Sequence, residues 1–456
     1  MKTPIVDFLK QYAAARPVRL HMPGHKGSYF LGPEHMDITE VEGADVLYRA
    51  QGIIAESQQN AAELFGSGAT YYSCEGSSLA IRAMLYLTLL LARSRGDDRP
   101  LVLAARGVHQ TFVSALALLD MDVKWIYPDC SDGVFGRPIT PEGLELELAK
   151  MTKAPAAVYL TSPDYLGNVA DVRALSEVCH RHGTLLLVDN AHGAYLRFLP
   201  VSRHPMDLGA DMCCDSAHKT LPVLTGGAYL HISKSAPTLW REQAMQALGL
   251  FASTSPSYLI LQSLDRANAY LSETYRAELS ETVTIVNGLK QELLGQGFTL
   301  VGDEPLKLTL APKSYGYTGA ELADHLLKNN IICEFSDEDY TVLMVSPQNT
   351  PEELSAVRRA LLELAPRGAI RRRPPAMTPP TVRLSVRRAM FAPSCVLPTE
   401  SCEGRVLAQQ TLSCPPAIPI VVCGEEIDSG AIALLKYYGV RECRVTAEEG
   451  ENCYEG

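Results

Sequence analysis

The sequence is short of positive charge and lacks the motifs that mark several common classes of protein. Lysine and arginine number 41 against 52 aspartates and glutamates, for a formal net charge of −11. This deficit argues against a nucleic-acid-binding protein. No apolar stretch reaches the ~18 residues of a transmembrane helix, so we expect no membrane partner. None of the 12 cysteines falls in a CxxC pair, which argues against a metal site of the zinc-ribbon type.

The N-terminus also lacks the long apolar centre of a secretory signal peptide. Ile5, Phe8, Leu9 and Tyr12 recur at helical spacing instead and predict an amphipathic helix. Without a secretion signal we expect a cytoplasmic protein with reduced thiols, most of them small buried apolar side chains. A length of 456 residues predicts more than one domain.

Short runs that are apolar on both faces alternate with helical patterns between residues 60 and 235. Strands of this kind, separated by helices, predict an α/β fold with a mostly parallel sheet covered by helices. The pattern then predicts one long helix over 267–296 and a smaller α/β unit after it. The predicted strands of the large sheet are 99–105, 155–162, 184–190, 211–216 and 227–233. The predicted divisions are an N-terminal segment 1–45, a large α/β domain 46–296, a small α/β domain 297–365, a linker 366–380 and a C-terminal subdomain 381–456.

Polar or ionisable residues follow four of these strands, where an open parallel sheet gathers its functional groups. The four turns are 106–111, 161–165, 189–192 and 215–219. A fifth turn, residues 76–78, reads Gly-Ser-Ser and opens a long apolar helix. Backbone amides and hydroxyls at a helix start suit a phosphate group.

Lys219, Asp189 and the Gly-Ser-Ser turn together have the chemistry of a pyridoxal phosphate (PLP) site. Lysine forms an imine with the cofactor aldehyde, and a carboxylate keeps the pyridine nitrogen protonated. His109 stands in its turn where a ring could stack on the cofactor. Each residue alone has a simpler reading, as a solvated lysine, a helix cap or a loop histidine. Their combination favours the cofactor.

Four segments resemble signatures of the ornithine/lysine/arginine decarboxylase family, PLP-dependent enzymes of the aspartate-aminotransferase fold (fold type I). They read HMPGHKG (21–27), TSPDYLG (161–167), VDNAHGAY (188–195) and SAHKTL (216–221). Segments 37–48, 254–265, 382–392 and 415–425 extend the resemblance over most of the chain. The resemblance is to the family's short form, since there is no room for the additional N-terminal receiver-like domain of the longer enzymes.

The resemblance implies a role for each residue of the proposed site. Lys219 is the Schiff-base lysine, Asp189 the partner of the ring nitrogen, His109 the stacking ring and Ala191 the residue beneath it. The remaining implied cofactor contacts are Gly76, Ser77, Ser78, Ser216 and His218 around the phosphate, Thr161 near the phenolic oxygen, and His192. Three positions depart from the family pattern: Asn190 replaces a glutamate, Gln110 replaces a lysine and Thr111 replaces a serine.

The implied reaction is α-decarboxylation of arginine, lysine or ornithine to agmatine or a diamine, in polyamine or amino-acid metabolism. A cationic substrate side chain needs an acidic partner, and the candidates are Glu40, Asp45, Glu334 and Asp337. Because relatives of this fold type build the active site across a dimer interface, we expect a homodimer or a higher homo-oligomer. Two alternatives stay open. One is another PLP-dependent reaction on the same fold, such as that of an aminotransferase, in which Arg383, Arg387 or Arg388 holds the α-carboxylate; the other is a non-catalytic regulatory homologue.

Overall fold

The computed structural model describes residues 1–127, 138–414 and 418–448. The chain forms two compact units: unit 1 comprises Met1–Asp98 and Val172–Ser280, and unit 2 comprises Arg99–Asp171 and Glu281–Gly456. The five divisions predicted from the sequence stay a prediction. The helices of the described residues are α1 (Pro4–Ala15), α2 (Ile53–Phe65), α3 (Gly76–Ser94), α4 (Gln110–Leu119), α5 (Pro141–Ala149), α6 (Val172–Arg181), α7 (Ala217–Thr220), α8 (Thr238–Phe251), α9 (Tyr258–Glu273), α10 (Tyr275–Gly295), α11 (Gly319–Lys328), α12 (Pro351–Leu362), α13 (Val386–Met390) and α14 (Ser429–Tyr437). The strands are β1 (Ala69–Ser73), β2 (Leu101–Ala105), β3 (Asp122–Ile126), β4 (Ala157–Thr161), β5 (Leu186–Asp189), β6 (Met212–Asp215), β7 (Ala228–Ile232), β8 (Leu300–Val301), β9 (Lys307–Leu310), β10 (Phe335–Ser336), β11 (Thr341–Met344), β12 (Ser394–Pro398), β13 (Thr411–Cys414), β14 (Ile418–Val422) and β15 (Glu442–Thr446).

The main sheet has seven strands in the order β1-β7-β6-β5-β4-β2-β3. The pairs β2/β3, β2/β4 and β5/β6 are parallel, which confirms the predicted α/β fold with a mostly parallel sheet. Strands β4 to β7 are buried along almost their whole length, as expected of strands that are covered on both faces. These are four of the five strands predicted for this sheet, and β2 is the fifth.

The structure departs from the predicted pattern at three places. Strand β7 runs antiparallel to both β1 and β6, and the prediction missed β1 and β3. The single helix predicted over 267–296 is two helices, α9 and α10, that meet at Thr274, where φ is −104°. The break places the ring of Tyr275 in the core, 5.5 Å from the ring of Phe198. In a continuous helix, the Tyr275 side chain would point in a different direction.

The small α/β unit and the terminal subdomain both lie in unit 2. The small sheet has the order β10-β11-β9-β8, with antiparallel neighbours. In the terminal part, β12 pairs with β15 and β13 pairs with β14. Cys395, Cys402 and Cys443 belong to the apolar core of this part. Of the nine cysteines whose side chains the structure describes, seven are buried thiols, as predicted; Cys130, Cys414 and Cys453 fall outside that set.

Within the part of the chain that the structure describes, one helix is apolar and long enough to cross a membrane by composition alone, although the sequence analysis expected none. It is α3, with 19 residues, and 61% of its apolar window is buried within the chain. The core helix of a globular protein meets the same criteria. The burial of α3 therefore favours that interpretation.

Helix α1 is anchored on a buried carboxylate of unit 1. The backbone N–H groups of Ile5 and Val6 each donate to Asp265 Oδ2 at 3.0 Å. The Ser57 hydroxyl donates to Asp265 Oδ1 at 2.6 Å. Burial raises the pKa of Asp265 from 3.8 to about 6, against the opposing effect of these donors.

This shift predicts a pH dependence of stability with a definite sign. Because the native pKa of Asp265 lies above the unfolded value, the native protein binds the extra proton, so its stabilising effect is lost as the pH rises from about 4 to about 6. Asp265→Asn keeps an oxygen acceptor and removes the titration, so we expect a flatter free energy of unfolding over that range. Denaturant unfolding at a series of pH values measures the slope. Equal slopes in the variant and the wild type would contradict the assignment to Asp265.

Candidate active site

Three strand ends of unit 1 meet at one edge of the sheet. β5 and β6 are parallel, with Asp189 opposite Cys214, so their final residues, Asp189 and Asp215, end at the same edge. β1 and β6 are both antiparallel to β7, and β1 is therefore parallel to β6. The end of β1, at Ser73, brings the start of α3 to this edge as well. The structure thus brings three of the turns singled out in the sequence together.

Lys219 lies in the single-turn helix α7, directly after β6. Its Nζ lies 3.1 Å from Nε2 of His192, which belongs to the turn after β5. The Lys219 side chain is exposed, whereas its neighbours Ala217 and Thr220 are buried. The turn is therefore fixed in the core while the amine stays accessible. The contact allows a proton to pass between the amine and the imidazole.

Asp189 ends β5 and is only 2% exposed. Its Oδ1 accepts the backbone N–H of Ala191 at 3.2 Å and the thiol of Cys214 at 3.5 Å. Burial, reinforced by the Asp189 charge, raises the pKa of the Cys214 thiol well above its usual value. The thiol thus stays protonated and acts as a hydrogen-bond donor, and it is not a nucleophile here.

The start of α3 carries a set of phosphate-binding groups. Gly76, its first residue, has φ +71°, a left-handed conformation that favours glycine. Ser216 Oγ donates to Ser77 Oγ at 2.8 Å, and Ser78 follows in the same helical turn. The His218 ring lies beside Gly76, with Cε1 4.0 Å from the position a Cβ on that glycine would take. Two adjacent hydroxyls at the start of a helix fit the chemistry of a phosphate group.

His109 and Thr161 belong to unit 2, where each has a defined local environment. His109 caps α4, and its Nδ1 accepts the N–H of Thr111 at 3.2 Å. The proton of the neutral ring is therefore on Nε2. The Thr161 hydroxyl at the end of β4 is buried and has no hydrogen-bond partner among the described residues. A buried hydroxyl of this kind fits a polar group of a bound molecule.

Two of the four acidic candidates for the substrate side chain accept backbone N–H groups of their own turns, although the buried Oδ2 of Asp337 has no hydrogen-bond partner among the described residues. Asp337 Oδ1 accepts the N–H groups of Asp339 and Tyr340, each at 2.7 Å, and burial raises the pKa of Asp337 to about 6. The carboxylate of Asp45 caps the start of α2 and the loop before it. It accepts the backbone N–H groups of Val46, Gln51, Gly52, Ile54 and Ala55.

The other two candidates are exposed acids. Glu334 Oε1 accepts the hydroxyl of Tyr165 at 3.1 Å within unit 2, and Glu40 is exposed in unit 1. Tyr165 belongs to the segment TSPDYLG, so its hydroxyl connects Glu334 to one of the segments that carry the family resemblance. Of the four acids, Glu334 is the one tied to that segment by a side-chain contact while remaining accessible.

The sequence analysis missed a buried polar group directly behind this edge. Asp215 accepts hydrogen bonds from Asn190, His204 and His231. Asp215 and Asn190 stand inside the recognised segments or next to them. The two histidines come from separate parts of the chain, and no spacing in the sequence relates them to Asp215.

Comparisons with known proteins show which family the chain resembles. The family model for the Orn/Lys/Arg decarboxylase major domain matches residues 3–309. An arginine decarboxylase of Bacillus subtilis is 30% identical, with 95% of this chain and 93% of the relative aligned. An arginine decarboxylase of Halalkalibacterium halodurans is also 30% identical, over 95% of this chain and 93% of the relative.

A solved structure of similar fold is the lysine decarboxylase of Francisella novicida. It superposes with a TM-score of 0.78 at 16% identity and covers 98% of this chain and 81% of that one. At this identity the likeness shows the fold, which is that of the PLP-dependent fold-type-I enzymes. Because the family model matches well over half of the sequence, the chain belongs to the Orn/Lys/Arg decarboxylase family and is a decarboxylase that acts on a basic amino acid.

Proposed function

We propose that the enzyme uses PLP to convert arginine to agmatine and carbon dioxide. The observation that carries this proposal is the contact between Lys219 and His192 at the edge where Asp189 is buried and Ser77 meets Ser216. The choice of arginine rests on the relatives named arginine decarboxylase, which align over nearly the whole chain. Agmatine would then enter polyamine or amino-acid metabolism.

Each residue of this edge has a distinct task in the proposal. Bound PLP supplies an aldehyde for attachment to an amine and a ring that accepts electrons as the carboxylate leaves. Lys219 provides the accessible amine, and the buried Asp189 carboxylate holds a proton on the ring nitrogen. The hydroxyls of Ser77 and Ser216, with the amides at the start of α3, bind the phosphate. The family resemblance adds the remaining contacts: Ser78, His109, Thr161, Ala191 and His218.

The reaction also requires one proton. Breaking the bond to the carboxylate releases carbon dioxide, and the α carbon then takes up a proton. Lys219 Nζ and His192 Nε2, 3.1 Å apart, form a donor pair at the place where that proton is needed. Of the acidic candidates, Glu334 is the proposed partner of the substrate guanidinium.

The aminotransferase alternative has less support. It needs an arginine available to hold the α-carboxylate, and two of the three candidates have partners in unit 2. Arg383 forms an ion pair with Glu426, and Arg387 donates to the carbonyl of Ala117 at 2.8 Å. The non-catalytic alternative is disfavoured because Lys219 and Asp189 are both present.

Side-by-side kinetics test the substrate. We expect the protein loaded with PLP to release carbon dioxide from arginine with a kcat/KM at least about 10-fold above that for lysine or ornithine, since a site arranged for a guanidinium leaves groups unpaired with a shorter ammonium. Labelled carbon dioxide and amine products are measured for all three substrates. Keto-acid formation without carbon dioxide would contradict decarboxylation, and a preference for lysine or ornithine would contradict arginine alone.

A second copy of the chain is the proposed partner, as a homodimer or a higher homo-oligomer in the cytoplasm. Large apolar side chains stand exposed in the segment that contains HMPGHKG, an arrangement that commonly marks an interface. They are Val18 (86% exposed), Leu20 (91%), Tyr29 (86%), Phe30 (84%) and Leu31 (81%).

A further inference from the structure

Asp215 is the centre of a fully buried group of four polar side chains in unit 1. Its Oδ1 accepts from Asn190 Nδ2 at 2.6 Å. Its Oδ2 accepts from Nε2 of His204 at 3.0 Å and from Nε2 of His231 at 3.1 Å. All four residues are 0% exposed. Although burial opposes it, the two histidines hold the pKa of Asp215 well below its usual range.

The same atoms have the spacing of a metal site, because the two histidines and Asp215 offer ligand atoms within 4.8 Å of one another. The protonation of His204 argues for hydrogen bonding instead. Its Nδ1 accepts the backbone N–H of Met206 at 3.3 Å, so the proton of the neutral ring is on Nε2 and points at Asp215. A metal ligand would need the Nε2 lone pair and would donate through Nδ1.

Aromatic packing keeps the group dry. The ring of Phe65 lies 4.5 Å from that of His231 and 5.4 Å from that of His204, measured between centroids. His231 Nδ1 meets the Thr70 hydroxyl at 2.8 Å. In such surroundings each hydrogen bond is strong, and each unpaired donor is costly.

The group joins the two turns that carry the proposed catalytic residues. Asn190 stands between Asp189 and Ala191 in the turn after β5, and its backbone N–H also donates to the Cys214 carbonyl at 2.9 Å. Asp215 stands directly before Ser216 and α7, which holds Lys219. The bond between Asn190 and Asp215 therefore connects the residue after Asp189 to the residue at which the lysine-bearing turn begins.

In this chain, the bond favours an asparagine at 190 over the glutamate of the family pattern. A glutamate at 190 would set a second carboxylate against that of Asp215, and one of the two would have to hold a proton. The amide supplies a donor without that requirement. The orientation of the Asn190 amide is fixed, because turning it over would place the amide oxygen 2.6 Å from the carboxylate oxygen of Asp215.

We propose that Asp215, through Asn190, His204 and His231, is the positioning residue that holds the turns of Asp189 and Lys219 in register. The role rests on the proposed function, in which those two residues meet the cofactor. It does not require Asp215 to touch PLP or substrate. In this role Asp215 acts as the hydrogen-bond acceptor that its three partners share. Whether the negative charge lies on residue 215 or on residue 190 matters less.

Two variants separate hydrogen bonding from charge. Asp215→Asn replaces the shared carboxylate with an amide, so that whichever way the amides of residues 190 and 215 turn, one buried N–H group loses its acceptor. We expect kcat to fall about 100-fold, the usual effect of a misplaced catalytic group, with KM little changed. The absorbance of bound PLP should shift or weaken. In the double variant Asn190→Asp/Asp215→Asn, the new amide at 215 donates to the new carboxylate at 190 and accepts from the two histidines through its oxygen. Each contact again has a donor and an acceptor, and only the position of the negative charge has changed. We expect it to regain at least about 10-fold in kcat and the wild-type absorbance.

A matched control lies at the start of the same strand. Asp211 is also a buried carboxylate bonded to a histidine, His180, at 3.0 Å, and it precedes β6 at the end away from Lys219. Asp211→Asn should lower the melting temperature while leaving kcat and the absorbance of PLP unchanged. Comparing the three variants separates a general loss of stability from the loss of position.

The possible results distinguish failure of the proposed function from failure of the positioning role. If the wild type binds no PLP, the proposed function fails whatever the Asp215 variants do. If the wild type is active and folded Asp215→Asn keeps its kcat and absorbance, the positioning role alone is overturned. A double variant that recovers neither folding nor kcat relative to Asp215→Asn also overturns it. So does a rise in melting temperature of the apoprotein with added Zn²⁺ that His204→Asn removes, since that result would show a metal site.

Discussion

Lys219→Ala is expected to lower the rate of decarboxylation by about 1,000-fold or more, because the amine that attaches to the cofactor is lost. The absorbance band near the visible edge of the PLP-loaded protein should vanish as well. The fold should persist, since the Lys219 side chain is exposed while the turn that carries it is buried on either side. Carbon dioxide release, the absorbance spectrum and circular dichroism measure the three effects.

Lys234→Ala is the matched control for this experiment. Lys234 is an exposed lysine of unit 1 that follows β7, and because β7 is antiparallel to β6 it lies at the opposite edge of the sheet. We expect this variant to keep wild-type kcat and absorbance. Full activity in Lys219→Ala, or a persistent band, would assign the cofactor amine to another residue.

Glu425→Gln is expected to lower the free energy of unfolding by about 3–5 kcal/mol, the usual effect of leaving one buried charge unpaired. Arg106 and Glu425 form two parallel contacts of 2.7 Å within unit 2. The two side chains are 2% and 1% exposed. The Arg106 guanidinium also lies 5.3 Å from the ring centroid of Trp125, so little water reaches the positive charge that the substitution leaves unpaired. Urea unfolding followed by circular dichroism measures the change.

An exposed ion pair of the same unit provides the comparison. Arg358 and Glu292 are 2.6 Å apart but 56% and 44% exposed, so Glu292→Gln should change the free energy of unfolding by less than about 1 kcal/mol. Equal effects of the two substitutions would show that burying the ion pair of Arg106 and Glu425 does not add to its effect on the free energy of unfolding. A small effect for Glu425→Gln would show that the buried arginine finds another partner.

The large sheet was predictable where its strands are buried on both faces and less so elsewhere. β4, β5 and β6 are continuous apolar runs, and the sequence analysis found them. β3 was missed because it is an edge strand whose first three residues are only half-buried and include Asp122 and Lys124. The antiparallel direction of β7 follows from its connection to β6, residues 216–227, which holds only the four-residue helix α7. A parallel crossover of this length would need a full helix.

The site was predictable where its chemistry is local and obscure where it depends on distant contacts. Lys219, Asp189 and Ser77 stand in segments that the sequence shows directly. Asp45 was a candidate for the substrate because a sequence shows a carboxylate without its partners. Only the fold reveals that backbone N–H groups surround it. For the same reason the sequence could not show that His204 and His231 meet at one aspartate.

The anchoring of α1 has a consequence for how the protein is made. Ile5 and Val6 find their acceptor, Asp265, 260 and 259 positions further along the chain. During translation the first helix leaves the ribosome long before the carboxylate that holds its start. The start of α1 therefore lacks this acceptor until α9 has been made. Contacts so distant in sequence also slow folding, so we expect the start of α1 to dock late in the folding of unit 1.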